Sequence, residues 1–238
     1  MYHAIRNVEP ATAFPGIEIH GLDLQQRLGE VALASLLDQW HQQPVLVFRN
    51  QHLSDSELLS FSHRLGQLDP APDTKSNDPP AACLLYAREV PPDGGDIQFL
   101  NLQAAYETLP HETRRKIARL RLLHDNGLHD GGPGNWHPLV TSDPLSGRAA
   151  LLLGSRRNTK VEGLDAVAAQ ALLNQLWQHA TQPQFTLRHI WRPGDLVLWN
   201  NVSVMQRSEV VDPASSHQLR GIRLRRLYSS WERYAAYA

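Results

Sequence analysis

The chain has 238 residues, 42% of them hydrophobic, which is enough to bury a sizeable core in one large domain. A formal net charge of −1 gives no electrostatic reason to expect nucleic acid or an anionic membrane as a partner. No apolar run approaches the length that spans a bilayer, and the single cysteine, Cys83, excludes an internal disulfide. These features predict a cytoplasmic protein and a buried structural role for Cys83.

The first third of the chain alternates predicted strands with predicted helices. Alternating apolar and polar residues predict a strand over 16–24, and helical spacing predicts a helix over 29–43. The valine-rich run 44–50 is typical of a buried strand. Ser54 has the properties of an N-cap, and the helix it begins is expected to end near Gly66.

The middle of the chain is rich in residues that interrupt regular structure. Residues 69–80 read "DPAPDTKSNDPP", and four prolines there predict a loop. A strand is expected over 81–90, followed by a turn. Residues 101–124 predict two short helices broken at Pro110, and the glycine-rich stretch 124–138 is predicted to be irregular.

The last third predicts a strand over 147–154, a helix over 165–181, and further strands over 185–191, 193–201 and 219–230. No internal repeat or linker interrupts the chain. Many short strands with a few helices predict one α+β domain over 1–238, built around a β-sandwich or jelly roll.

Several blocks occur in an order that carries a family resemblance. The most specific are "VPPDGGD" (90–96) and "WRPGDLVLWNN" (191–201), with "PVLVFRNQHLSDSELLSFSHRLGQLDP" (44–70) before them. From about residue 16 to 228 the chain resembles the TauD/TfdA family of iron(II)/2-oxoglutarate-dependent dioxygenases. The resemblance implies a double-stranded β-helix (jelly roll) core with flanking helices.

The same resemblance implies an iron site of two histidines and one carboxylate, with open positions for 2-oxoglutarate and oxygen. The family's His-x-Asp pair should lie shortly before Pro79, yet residues 69–80 contain no histidine. The distal histidine, seven residues after Trp199, corresponds to Gln206. Because a neutral amide oxygen is a poor substitute for imidazole on Fe(II), the sequence predicts a shortened, degenerate site with no metal ligands and no bound cofactor.

Residues from another segment offer an alternative metal site. His124, His129 and Asp130 could supply two nitrogen donors and one carboxylate, in a glycine-rich stretch that the resemblance places near the mouth of the pocket. His–Asp neighbours are common by chance, so this rearranged site is the less favoured hypothesis.

An arginine near the C-terminal end is the last element that the resemblance implies, because it would clamp the far carboxylate of 2-oxoglutarate. Arg223, Arg225 and Arg226 are the candidates. If Ile222 and Leu224 face the core, strand alternation predicts that Arg226 faces inward while Arg223 and Arg225 face outward. A solvated basic strand face is an equally good interpretation of this run.

The predicted pocket therefore contains polar groups without a metal. The predicted catalytic residues are Gln206, Asn201, Arg207 and Arg226. The predicted ligand-binding residues are Arg226, Arg225, Trp199 and Gln206.

Three functions are compatible with this reading. The favoured hypothesis is a metal-independent biosynthetic enzyme or binder, using the old pocket for non-redox chemistry on a small polar or acidic metabolite. The second is a catalytically inactive pseudoenzyme or scaffold, with a protein partner or a second copy contacting 69–80 and 124–136. The third is an Fe(II)/2-oxoglutarate-dependent oxidoreductase with rearranged metal ligands.

Overall fold

The computed structural model describes residues 6–7, 16–69, 80–90, 96–123, 136–144, 146–153, 159–208 and 219–228. Its helices begin and end close to the predicted positions. The helices are α1 (Glu30–Gln42), α2 (Asp55–Leu65), α3 (Leu102–Glu107), α4 (His111–Ile117) and α5 (Ala166–Ala180), with a turn of 3₁₀ helix at Pro183–Phe185.

The strands of the described residues are numbered in chain order. They are β1 (Arg6–Asn7), β2 (Gly16–His20), β3 (Val45–Phe48), β4 (Gly66–Leu68), β5 (Ala82–Ala87), β6 (Asp96–Asn101), β7 (Arg121–Leu123), β8 (Trp136–Pro138), β9 (Val140–Ser142), β10 (Ala149–Leu151), β11 (Lys160–Val161), β12 (Thr186–Ile190), β13 (Leu196–Asn200), β14 (Val204–Ser208) and β15 (Leu219–Leu227).

The strands form four sheets. The main sheet has the order β1-β2-β3-β13-β5-β15-β4, and a smaller sheet has the order β12-β6-β14. Two further small sheets, β11-β7-β8 and β10-β9, lie with α3, α4 and α5 in a separate apolar cluster. The predicted α+β class is confirmed.

Local sequence explains where the helices begin. At the start of α2, Ser54 and Glu57 form a reciprocal capping box, with each side chain accepting a backbone N–H of the other residue. Asp165 caps α5 by accepting from the backbone N–H of Ala168. Several stretches differ from the prediction: β1, β4, β6, β8, β9 and β11 were not predicted as strands, and the end of the predicted second helix at 121–123 is β7.

Side-chain alternation gives the main sheet two apolar faces. On one face, Leu46, Leu84 and Leu198 pack under α1 and α2. On the other, Val47, Leu85 and Val197 pack against β6 and β14 of the smaller sheet. The two sheets therefore enclose a sandwich interior, and the helices cover the opposite side of the main sheet.

The pairing of the sandwich strands is nested along the chain. Among the sandwich strands, the first along the chain, β4, pairs with the last, β15. Further inward, β5 pairs with β13 and β6 pairs with β12. By the same order, a second partner for β14 would lie between β4 and β5 in the sequence, but among the described strands β14 pairs with β6 alone. Residues 70–79, which fall in that interval, lie outside the described residues.

A buried charged cluster holds one end of the sandwich together. The carboxylate of Asp195 accepts hydrogen bonds from the guanidinium of Arg49 (Nη1–Oδ2, 2.5 Å) and from the backbone N–H of Arg192 (2.8 Å). His189 Nε2 lies 3.2 Å from the same Oδ2, and Glu18 accepts from the other side of Arg49. These contacts tie β3, β12 and β13 together where β13 begins.

We predict that Asp195→Asn destabilises the fold by about 3 kcal/mol, because it leaves the buried Arg49 with weakened charge compensation. The matched control is Glu107→Gln, which breaks the Glu107–Arg148 pair between side chains that are 42% and 44% exposed. That change should cost less than about 1 kcal/mol. Urea unfolding of both variants provides the measurement, and equal losses would contradict a structural role for the Asp195 cluster.

Candidate functional site

Three neighbouring strands of the main sheet place an indole, a thiol and a guanidinium in one row. Cys83 on β5 lies directly opposite Trp199 on β13 and directly opposite Arg223 on β15. Side chains directly opposite one another in antiparallel strands point to the same face. Trp199 and Cys83 belong to the cluster of the sandwich interior, so Arg223 lies on the sandwich side of its strand.

The smaller sheet adds Gln206 at the same level of the sandwich. Trp199 contacts Phe99 of β6 with ring centroids 5.3 Å apart, and Gln206 of β14 lies directly opposite Phe99. Gln206 is exposed, whereas Trp199 and Phe99 are buried. The predicted ligand-binding role of Trp199 stays a prediction, and its indole is part of the core. We call the level formed by Cys83, Trp199, Arg223 and Gln206 the Cys83 end of the sandwich.

Asn201 organises the backbone beside the Cys83 end. Its Oδ1 accepts a hydrogen bond from Trp199 Nε1 (3.3 Å), and its Nδ2 donates to the carbonyl oxygen of Pro80 (3.0 Å). Its backbone N–H donates to the carbonyl oxygen of Ala81 (3.0 Å). Asn201 therefore fixes the β13–β14 turn to the residues that lead into β5, and its contacts are those of a positioning residue.

The pKa of the Cys83 thiol depends on the charges near the Cys83 end. Burial raises the pKa of Cys83 to about 12, the positive charge of Arg223 lowers it, and the negative charge of Asp69 raises it. Asp69 directly follows β4, and its carboxylate Oδ2 lies 3.7 Å from Arg223 Nε. A thiol with this pKa is almost wholly protonated near neutral pH. Cys83 is half-buried where the sequence predicted a buried residue, and its structural role stays a prediction.

The arginine side chains of β15 lie on different faces of the sheet from those predicted. Ile222 and Leu224 do face a core, but it is the core under the helices, so Arg223, predicted to face outward, lies on the sandwich side instead. A register shift between Leu224 and Arg226 then interrupts the alternation. The predicted shared face of Arg226 with Ile222 and Leu224 is therefore wrong.

The side chains after the register shift can be placed from their neighbours. Leu227 returns to the core under the helices, so Arg226 next to it lies on the opposite face, across from Gln67. Gly66 allows this close pairing, because a Cβ at that position would collide with the carbonyl oxygen of Arg226. Arg225 occupies the shift itself, and both arginines are exposed. Ligand binding by Arg225 or Arg226 stays a prediction.

The other predicted catalytic arginine is not brought to the Cys83 end. Arg207 lies opposite Gln98 and follows Gln206 directly, so alternation places it on the outer face of the smaller sheet. Its side chain therefore cannot contact the same ligand as Gln206 unless β14 changes its pairing register.

The iron site implied by the resemblance can be compared with the donors present. Among the described residues, no three His, Cys, Asp or Glu side chains are grouped so that they could hold a metal ion. The Cys83 end offers an amide, a protonated thiol and a guanidinium, and this set does not fit Fe(II). His124, His129 and Asp130 lie outside the described residues.

An open cavity of about 340 Å³ lies at the far end of β3, near the Asp195 cluster. None of the predicted site residues lines it. Its buried amide, Gln51, already bonds the backbone of Leu24, Leu22 and Arg49. Its guanidinium, Arg49, is paired with Glu18 and Asp195. Both of these side chains therefore already have protein partners. The Cys83 end, which includes the predicted site residues Trp199 and Gln206, is the candidate site.

Sequence reasoning missed Asp69 and the position of Arg223. Asp69 was read as the first residue of a loop, although its backbone N–H continues the β4–β15 pairing by donating to Arg223 O (2.9 Å). Asp69 directly follows the strand "GQL" and Arg223 lies in "LRGIRLRRL", but the sequence does not reveal which face of the sheet each side chain occupies.

Comparison with known proteins gives a consistent family assignment. Residues 73–228 match the model of the family described as taurine catabolism dioxygenase TauD, TfdA family. The chain is 28% identical over 264 residues to an alpha-ketoglutarate-dependent 2,4-dichlorophenoxyacetate dioxygenase of Cupriavidus pinatubonensis, covering 85% of this chain and 91% of that protein.

Solved structures agree with this assignment. A taurine dioxygenase from Burkholderia xenovorans superposes with a TM-score of 0.82 at 28% identity, covering 92% of this chain and 90% of that one. AAD-2 in complex with Mn(II) and N-oxalylglycine superposes with a TM-score of 0.82 at 26% identity, covering 93% and 97%. The described helices include none long and apolar enough to cross a membrane. The chain belongs to the TauD/TfdA family of taurine catabolism dioxygenases.

Proposed function

We propose that the chain binds a small organic acid at the Cys83 end of its sandwich. The observation that carries this proposal is the placement of Arg223 on the sandwich side, beside Cys83 and level with Gln206. A guanidinium is suited to a carboxylate, and Gln206 adds an amide that can donate and accept. The complex of the related AAD-2 with N-oxalylglycine, a dicarboxylic acid, supports this class of ligand.

The proposed site acts without iron. Gln206 stands where the family resemblance implies the distal histidine, and the sequence between β4 and β5 has no histidine for the first pair. The nested pairing of β4 with β15, β5 with β13 and β6 with β12 supports a jelly roll as the arrangement of the sandwich. The reaction at the proposed site is non-redox acid–base chemistry on a small polar or acidic metabolite of a biosynthetic pathway.

An Fe(II)/2-oxoglutarate-dependent oxidoreductase is the second candidate, and the relatives favour it. The 2,4-dichlorophenoxyacetate dioxygenase and the taurine dioxygenase align over most of their length. This candidate requires metal ligands from outside the described strands, with His124, His129 and Asp130 as the sequence alternatives. A pseudoenzyme that contacts a protein partner through 69–80 or 124–136 is a third possibility that the same experiments address.

Metal binding separates the first two candidates. We expect anaerobic addition of Fe(II) and 2-oxoglutarate to give well below one bound iron per chain, and we expect no succinate when oxygen is then admitted. Gln206→His should leave this result unchanged, because one imidazole without two further donors does not make a facial triad. Metal analysis and succinate detection provide the measurements, with Gln206→Leu as the matched variant without a donor.

Stoichiometric iron with succinate formation in the wild-type chain would decide for the oxidoreductase. A large gain of iron affinity in Gln206→His would show that two donors are already in place.

Carboxylate binding tests the proposed ligand class. We expect N-oxalylglycine to bind the metal-free chain, and Arg223→Gln to weaken that binding about tenfold, since a charge-assisted hydrogen bond is lost. Calorimetric titration provides the measurement. Arg148→Gln, which removes a half-exposed arginine paired with Glu107, is the matched control and should bind as the wild type does. A larger loss in Arg226→Gln than in Arg223→Gln would move the anion-binding role to Arg226.

The alkylation rate of Cys83 provides an independent test of the charges of Arg223 and Asp69. At pH 8 we expect alkylation by iodoacetamide to be at least about 10³-fold slower than in the urea-unfolded chain, because a raised pKa leaves little thiolate. The rate should rise about tenfold per pH unit up to pH 10. Arg223→Gln should slow the reaction and Asp69→Asn should speed it, since their charges act on the thiol in opposite directions. Equal acceleration in both variants would indicate simple opening of the site.

A further inference from the structure

Asp69 and Arg223 form a charged pair at the edge of the proposed acid site. The carboxylate Oδ2 lies 3.7 Å from Arg223 Nε, within ion-pair distance but beyond a hydrogen bond. The side chain of Asp69 is 10% exposed, whereas that of Arg223 is 47% exposed. The Asp69 carboxylate is therefore largely shielded from solvent, and the Arg223 guanidinium is the partner that solvent or a ligand can reach.

Backbone contacts hold the main chain of Asp69 beside β15. The N–H of Asp69 donates to Arg223 O (2.9 Å), and on the other side of β15 the N–H of Ala81 donates to Leu224 O (2.8 Å). The side chain of Asp69 thus lies beside Arg223, whose side chain is on the sandwich side directly opposite Cys83. The opposing effects of Asp69 and Arg223 on the Cys83 pKa place both charges within electrostatic reach of the same thiol.

When a carboxylate ligand approaches Arg223, the positive charge of the arginine is already partly neutralised by Asp69. Any anion that approaches Arg223 gains the attraction of the guanidinium and loses part of it to the repulsion of Asp69. Because the pair is not closed by a hydrogen bond, Arg223 can turn its N–H groups to a ligand without first breaking one to Asp69.

We propose that Asp69 is a specificity-determining residue of the acid site: it is an internal carboxylate that competes with the ligand for the charge of Arg223. The site then discriminates against weakly bound monoanions and retains acids that make further polar contacts, for example with Gln206. This inference rests on the proposed function, because it requires that Arg223 binds the ligand.

The test is a comparison of N-oxalylglycine and acetate binding to five forms of the full chain by calorimetric titration. Asp69→Asn should bind N-oxalylglycine roughly two- to fivefold more tightly than the wild type, the range expected for removal of a partly exposed ion pair. Acetate should gain by a larger factor, and equal gains would contradict a role of Asp69 in specificity. Asp69→Asn/Arg223→Gln should bind no more tightly than Arg223→Gln alone, because Asp69 acts through Arg223. Glu107→Gln removes one carboxylate from an arginine pair elsewhere and should leave both affinities unchanged.

The outcomes separate this inference from the proposed function. If the wild type binds N-oxalylglycine but Asp69→Asn binds no more tightly, the inference is wrong and the proposed function stands. A gain that persists in the double variant also overturns it, because Asp69 would then repel the anion directly. If neither the wild type nor Asp69→Asn binds the probe, both are wrong. Should Asp69→Asn fail to fold by circular dichroism, Asp69→Ser removes the same charge and carries the same expectation.

Discussion

The strand β13, buried on both faces, is the constraint on which the arrangement of this protein depends. All five of its residues, Leu196–Asn200, are buried, and it pairs with β3 on one side and β5 on the other. Leu196 and Leu198 fill the core under the helices while Val197 and Trp199 fill the sandwich interior. A strand packed this way cannot slip by one residue, since a slip would exchange the two faces.

The ends of β13 are held by polar contacts of different kinds. At its start, Asp195 is fixed by Arg49, His189 and the backbone of Arg192. At its far end, Asn201 links the Trp199 indole to the backbone of Pro80 and Ala81. The buried charges fix the register of the sheet, and the amide contacts fix the level at which β5 begins. The position of Cys83, and therefore of Arg223, follows from both.

The sequence predicts the helices and the main strands well because their apolar spacing and caps are local signals. Ser54 and Asp165 are examples, each with a side chain that bonds the first turn of its own helix. Strand alternation alone could not place Arg223 and Arg226, because the main sheet has an apolar core on each side. An inward-facing residue of β15 can face the helices or the sandwich, and only the pairing with β5 decides. The register shift after Leu224 is a second non-local effect, because it depends on the approach of Gly66 on β4.

The same sheet geometry sets the row formed by Trp199, Cys83 and Arg223. A facial triad needs three donors brought to one point from separate strands. The arginine row needs less, because Cys83 opposite Arg223 is set by ordinary β5–β15 pairing. The apolar contact of Trp199 with Phe99 holds the two sheets at this level independently of any ligand. Packing and strand pairing therefore position this row under constraints that metal coordination does not share.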